Sequence, residues 1–177
     1  VYSMPNHVFI AASLDGFIAK TNGSLDWLDR IENPDHDDFG YDEFLKKIDA
    51  IVMGRSTYDF VKNITPWPYK KPVYVLSRSM SPQTLPNQIT ITDRSPLELQ
   101  QELNRMGYRN LYVDGGKTIH SFMRENLIDE WTITRIPIML GAGIPLFDNT
   151  LEKETSLVHI ATRVFSNGLV QSTYKKQ

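Results

Sequence analysis

Short apolar runs alternate along the chain with polar, glycine- and proline-bearing stretches, and the apolar period switches between two and about 3.6. Continuous apolar runs at His7–Ser13 (HVFIAAS), Ala50–Met53, Pro72–Leu76 (PVYVL) and Asn110–Val113 predict buried strands, with a weaker one at Ile89–Thr92. Asp15-Gly16 turns the chain after the first, and Phe17-Ile18-Ala19 resumes it. A short helix is expected near Leu25–Ile31, capped from Asn22-Gly23-Ser24. An acidic link, Glu32–Gly40, leads to a helix at Tyr41–Ile48, where Phe44, Leu45 and Ile48 share a face.

Ser95-Pro96-Leu97-Glu98 combines an N-cap serine, a first-turn proline and a glutamate three residues after the cap. Leu99, Leu103 and Met106 then form an apolar stripe that Gly107 stops. A second helix over Lys117–Glu125 opens directly from Gly115-Gly116. Glu130–Leu140 is a long strand candidate interrupted by Pro137. Leu157–Phe165 and Leu169–Tyr174 flank Ser166-Asn167-Gly168, a hairpin turn signal. Strands alternating with helices and closed by a hairpin indicate an α/β three-layer fold, with a mainly parallel sheet and an antiparallel end. Ligands of such sheets bind outside the carboxyl ends of the strands. Met53, Leu76 and Val113 are therefore the places to look for chemistry.

Composition narrows the classes. The 177 residues suit one domain spanning 1–177. A net charge of −2 gives no electrostatic basis for wholesale nucleic-acid or membrane binding. Without cysteine there are no disulfides, no thiol catalysis and no thiolate-bound metals, which fits a cytoplasmic protein. No apolar stretch approaches the roughly 20 residues of a membrane span, and VYSMPNHVFI does not read as a signal peptide.

The strand end LYVDGGKTIH is the most informative. Paired glycines let a backbone approach a ligand closely, and the following helix start favours an anion such as phosphate. A plain strand-to-helix turn is the alternative. Gly116-Lys117-Thr118 resembles the tail of a P-loop, but Leu111 stands where its first glycine belongs. Gly141-Ala142-Gly143 begins a dinucleotide fingerprint that Leu146 breaks. At Gly54-Arg55-Ser56-Thr57, an arginine fork and two hydroxyls suit a terminal phosphate; a solvated Arg55 with Thr57 as a helix cap is the alternative. Leu76-Ser77-Arg78 adds a further hydroxyl and arginine at a neighbouring strand end. One glycine-rich and one arginine-rich phosphate site on one sheet edge fit NADPH better than NADH.

On AASLDGFIA (Ala11–Ala19), DAIVMGRSTYD (Asp49–Asp59), VYVLSR (Val73–Arg78), LYVDGGKTI (Leu111–Ile119) and IPIMLGAGIPLF (Ile136–Phe147), nearly the whole chain resembles the dihydrofolate reductase-like superfamily. It is most similar to the group holding the pyrimidine reductase domain of riboflavin biosynthesis, the RibD C-terminal domain. The resemblance implies an NADPH-dependent reductase. Gly54, Arg55, Ser56 and Thr57 match the segment that holds the adenosine 2′-phosphate, with Ser77 and Arg78 on its other side. Gly115, Gly116, Lys117, Thr118 and Ile119 match the pyrophosphate loop and helix start. Ala12 and Ile18 match positions beside the nicotinamide, and Trp27 a tryptophan near the cofactor.

Two carboxylates are candidate proton donors or substrate anchors. Asp26 lies on the helix that carries the acid in dihydrofolate reductases proper; a first-turn acid complementing the helix dipole is the alternative. Asp114 sits at the active edge, where the pyrimidine reductases place an acidic residue on substrate; an ordering role in the loop is its alternative. Asp15 reads as a turn residue. The chain has neither the zinc-binding deaminase domain usually fused to that reductase nor a second basic set for a ribose phosphate, so a pterin, another heterocycle or a small carbonyl compound is an open substrate. His36 in DHDDF reads as an acidic loop, and no metal site is expected. Ser56 lacks the closing glycine of a nucleophile elbow. A non-catalytic NADP-binding or dimerisation module on the same scaffold is the alternative to an enzyme, and the apolar, Trp-containing Glu130–Leu140 segment and the closing hairpin are expected to pair two subunits in a homodimer.

Overall fold

The computed structural model describes residues 4–149, 151 and 153–177. Along the chain run β1 (Asn6–Ser13), β2 (Phe17–Ala19), a 3-10 turn (Asp26–Arg30), α1 (Tyr41–Lys47), β3 (Ala50–Gly54), α2 (Arg55–Val61), β4 (Val73–Leu76), β5 (Gln83–Leu85), β6 (Ile89–Thr92), α3 (Pro96–Arg105), β7 (Leu111–Asp114), α4 (Gly116–Arg124), β8 (Glu130–Ile136), β9 (Ile144–Pro145), β10 (Leu157–Val164) and β11 (Val170–Lys176).

A nine-stranded sheet has the order β10-β11-β8-β1-β7-β3-β4-β6-β5, and β2 pairs with β9 in a separate ribbon. The strands from β8 to β6 are parallel; β10 and β11 are antiparallel at one edge and β5 at the other. This is the expected α/β three-layer architecture. Its central strands read as unbroken apolar runs because both faces are covered. Ala50 and Val52 pack with Leu99, Leu103, Ile119 and Phe122 of α3 and α4. Ile51 and Met53 pack on the other face with Phe44, Tyr58 and Val61 of α1 and α2.

The capping box at Ser95 and Glu98 forms as the sequence predicts. Met106 departs from the expected stripe. It is the C-cap of α3 and 56% exposed, because Gly107 takes a positive φ and turns the chain away. The expected long strand Glu130–Leu140 stops at Ile136, since Pro137 has no N–H for the ladder. The helix expected over Leu25–Ile31 is only a 3-10 turn without a side-chain cap; Ser24 Oγ instead accepts the Asp26 N–H at 3.3 Å. α2 is anticipated only through the alternative reading of Thr57 as a cap, and it starts earlier, at Arg55 with Gly54 as its N-cap. Its RSTYDFV sequence mixes β-branched and aromatic residues, and only Tyr58 and Val61 are buried. β5 and β9 are too short to show a period.

Candidate functional site

Register brings three strand ends level. Met53 pairs with Asp114, and Gly54 with Leu76. The turns leaving β3, β4 and β7 therefore emerge side by side at the carboxyl edge of the sheet.

Two of these turns interlock. A Cβ on Gly54 would lie 2.5 Å from Thr118 Oγ1 of α4, and a Cβ on Gly115 would collide with Thr57 Oγ1 of α2 and come within 3.9 Å of the Gly54 nitrogen. Each glycine thus receives a threonine from the opposite helix. A Cβ on Gly116 would meet Ile18 Cδ1 at 2.9 Å and Ile144 Cγ2 at 3.4 Å, so the β2–β9 ribbon closes the other side. Gly115 also has φ +93°, a conformation that L side chains rarely adopt. The first turn of α4 itself carries no acidic residue, but Asp114 just before it takes the N–H of the N-cap Gly115. Thr118 and Ile119 are buried, whereas Lys117 projects into solvent.

Arg55 joins the turns after β3 and β4. Its Nη1 donates to Ser79 Oγ at 2.6 Å, while its Nε donates to Asp59 Oδ2 at 3.3 Å. Ser79 in turn approaches Ser77 Oγ at 3.3 Å, and the Met80 N–H donates to that hydroxyl at 3.1 Å. Ser77 is buried, while Ser56 and Arg78 are exposed beside it. The anticipated meeting of the Arg55 and Ser77 segments is thus made through Ser79. Its place two residues beyond Ser77, on the same loop, is the signal that could have found it.

Asp114 ends β7 with its carboxylate accepting the Gly115 N–H at 2.9 Å. Burial pushes its pKa up to about 6, against the opposing hydrogen bond from the Gly115 N–H. Tyr112 lies two residues earlier on β7 and so on the same face. Its ring meets Tyr41 edge-on at 6.2 Å, and its hydroxyl donates to the Phe9 carbonyl at 3.3 Å. Tyr41 also packs on Phe9 at 5.6 Å, and Tyr69 on Trp67 at 5.3 Å. Desolvation and then the Asp114 charge raise the Tyr41 phenol to about 12; the same two causes push Tyr69 and Tyr112 up as well. Asp114 thus ends the strand face on which Tyr112, Tyr41 and Tyr69 cluster, residues outside the glycine and arginine motifs. The spacing of Tyr112 and Asp114 on one strand was the available clue.

The remaining candidates lie elsewhere in this arrangement. Ala12 and Ile18 are buried in the core cluster that backs the β7–α4 turn, so they can form a wall. Leu76 is partly buried against the same cluster. Trp27 is 1% exposed and packs with Ile136 and Leu169, near the β8 and β11 ends. It borders a cleft of about 300 Å³ with Arg30, Pro137 and Asn167. Asp26 does not suit a proton donor: it is at the surface, paired with Lys20 at 2.7 Å, and that lysine holds its carboxyl below the ordinary value. Asp15 behaves as the turn residue expected. Its carboxylate accepts the Ser13 hydroxyl at 2.6 Å and the Leu140 and Gly141 N–H groups at 3.1 and 2.8 Å. Among the described residues there is no group of His, Asp or Glu able to hold a metal ion, and no helix is long and apolar enough to cross a membrane.

Residues 7–171 match the profile of the RibD C-terminal domain. The chain belongs to that family. Its relatives include the Bacillus subtilis protein YwjB, 39% identical over 92% of both chains, and YyaP of the same organism, 33% identical over 93% of this chain and 91% of that one. A candidate riboflavin biosynthesis protein from Shewanella sp. PV-4 superposes with TM-score 0.90 and 43% identity, covering 98% of this chain and 99% of that one. The bifunctional deaminase and 5-amino-6-(5-phosphoribosylamino)uracil reductase of Thermotoga maritima shares the fold, with TM-score 0.69 at 15% identity. Here 98% of this chain covers 56% of that enzyme.

Proposed function

We propose that this RibD-type domain is an NADPH-dependent reductase acting on a small nitrogen heterocycle, with Asp114 as its acid. The observation that carries the reading is the threonine–glycine interlock of the β3 and β7 turns, placed between the Arg55–Ser79 contact and a carboxyl whose pKa is about 6. The cradle would take a dinucleotide phosphate at its rim: Thr118, Thr57 and Ile18 pack against the three glycines and leave no room there for a methyl group, which holds the β3 and β7 turns close together. Gly115, Gly116, Lys117 and Thr118 would hold the pyrophosphate. Arg55, Ser56, Thr57, Ser77, Arg78 and Ser79 would hold the 2′-phosphate. Ala12 and Ile18 would wall the nicotinamide side.

Bound NADPH would supply the hydride. Asp114 would supply the matching proton. A carboxyl with pKa near 6 is substantially protonated just below neutrality, and it becomes a carboxylate after giving its proton to a ring nitrogen or carbon. Substrate-dependent loss of NADPH absorbance, measured across pyrimidines and pterins, tests this reading. Asp114→Asn should lower turnover about 10²–10⁴-fold on an accepted substrate. NADPH binding without turnover of any such compound would favour the non-catalytic module.

The functional unit is proposed to be a homodimer formed through the closing hairpin. Every residue of β10 is exposed, including Leu157, Val158, Ile160 and Val164, which leaves a long apolar edge strand uncovered. A monomer by light scattering at micromolar concentration would contradict this.

A further inference from the structure

Residues 137–148 run as a strap from the end of β8 past β9, and a side chain ties each end of it. Near the start, the Asp15 carboxylate accepts the Leu140 and Gly141 N–H groups, and the Leu14 N–H donates to the Ile138 carbonyl at 2.8 Å. Near the end, the tie is the buried His120 of α4. Its Nε2 donates to the Pro145 and Leu146 carbonyls, each at 3.0 Å, and its Nδ1 lies 3.3 Å from Asp148 Oδ2. Between the two ties, Ile144 stands with Ile18 against Gly116, one turn before His120 on the same helix. His120 therefore joins the helix that opens at the glycine pair to the strap that walls it.

A proton acts differently on the two ties. The Ser13 hydroxyl, with the Gly141 and Leu140 amides, holds the Asp15 carboxyl below its ordinary value, so that tie does not titrate near neutrality. At His120 the two carbonyls can only accept, so Nε2 carries the proton of a neutral ring. Nδ1 then turns a lone pair toward a carboxylate. A second proton, on Nδ1, replaces that repulsion with a charge-assisted hydrogen bond. The charged groups facing the ring are Asp148 on the strap and Arg124 one turn further along α4. Arg124 Nη1 stands 3.9 Å from the same Asp148 oxygen and offers it another partner when the ring loses its proton.

We propose that His120 and Asp148 form a proton-operated latch that holds the 137–148 strap on α4 and so sets how closely Ile144 covers Gly116. The protonated ring closes the latch at both nitrogens. The neutral ring keeps the carbonyls and releases Asp148. His120 is thus a positioning residue for the phosphate turn, which rests on the reductase reading for its purpose, while the latch itself works in the cofactor-free protein.

NMR of the whole protein from about pH 5.5 to 8, across the ordinary histidine range, tests the latch. The ring nitrogen shifts of His120 report when Nδ1 loses its proton. Hydrogen-exchange protection of the Leu146 N–H, which donates to the Gly16 carbonyl at 2.9 Å, reports the latched end of the strap, and the Gly141 N–H reports the Asp15 end. With the intrinsic pH dependence of exchange divided out, Leu146 protection should fall several-fold with the same midpoint as Nδ1, and Gly141 protection should not change. The step should vanish in His120→Gln, which keeps a donor for the carbonyls, and in Asp148→Asn, which keeps the size and removes the charge; their spectra show whether the fold is retained. A pH-independent Leu146 protection in the wild type, or a step that persists in either variant, would overturn the proposal. Saturating NADPH should raise Leu146 protection at about pH 8, where the latch is open. No rise in a protein that takes up NADPH would overturn the strap's part in the cradle and leave the reductase reading standing. The expected step in a protein that takes up no NADPH would keep the latch and remove the reductase.

Discussion

Thr118 occupies the space a side chain on Gly54 would need: its Oγ1 lies 2.5 Å from the position of a Cβ there. Gly54 has φ −84°, so alanine suits its backbone, and only the contact across the two turns forbids it. Gly54→Ala should therefore cost on the order of 1–3 kcal/mol by overpacking, and Gly54→Ala with Thr118→Ala should recover much of it. Chemical denaturation of the four-member cycle measures the coupling. Strict additivity would show that the two turns are not locked together.

Gly115 makes the contrasting case. Thr57 stands against it in the same way, but its φ is +93°. Gly115→Ala should lower stability by about 1–3 kcal/mol, and Thr57→Ala should rescue only the contact part, because the backbone strain persists. Full rescue would mean that the conformation is not held as described.

Asp114 is ionised less readily in the fold than in the unfolded chain, which gives a pH signature. A folded pKa raised to about 6 from an ordinary 3.8 costs nothing below pH 3.8, where the group is protonated in both states. The cost grows as pH rises from 3.8 to 6 and is complete above that. Asp114→Asn, which keeps an acceptor for Gly115, should stabilise the cofactor-free protein by on the order of 1–3 kcal/mol at pH 8 and by almost nothing at pH 4. Thermal unfolding at the two pH values checks this; a pH-independent difference would contradict it.

Glu130 runs the other way, at the opposite end of the sheet. His7 Nδ1 at 3.2 Å and Lys47 Nζ at 2.9 Å hold its buried carboxyl down to about 2, with the His7 bond the larger cause. A depressed pKa contributes stability that is complete above about pH 4.5 and lost as pH falls through about 2. Glu130→Gln should destabilise the protein by on the order of 2–3 kcal/mol at pH 7, with the gap closing as pH approaches 2. An equal gap at pH 7 and pH 2.5 in urea melts would show that packing, rather than charge, sets the cost.

The Arg55–Ser79 contact predicts a graded loss of NADPH affinity. Arg55→Ala should cost about 1.5–3 kcal/mol and Ser79→Ala about 0.5–1.5, since the arginine supplies charge and the serine only positions it. Stability should change little, because Arg55 is exposed and its pairing with Asp59 is a surface i,i+4 bridge.

Much of this architecture was legible in the residue pattern because the central strands are covered on both faces. Ala50–Met53 and Leu111–Val113 have to be apolar throughout, and the glycines after them have to be small. The Ser95 capping box could be read because its chemistry is local. The pattern failed where long-range contacts decide. Within RSTYDFV only the cap reading of Thr57 announces a helix until Tyr58 and Val61 find the sheet. Met106 continued a spacing that Gly107 had already ended. At the site, the glycine and arginine motifs are visible, and Ser79 and Tyr112 sit two residues from Ser77 and Asp114, while Tyr41 and Tyr69 belong to other elements that only the fold brings to this face of the sheet. Asp26 looked equivalent to Asp114 in sequence. Lys20 and solvent separate them in chemistry.

The coenzyme cradle is tested most directly by isothermal titration of the wild-type protein with NADPH and with NADH in the same low-salt buffer. The account predicts NADPH tighter by at least about tenfold, equivalent to one charge-assisted contact at the 2′-phosphate. Equal affinities, or no heat from either coenzyme, would contradict it.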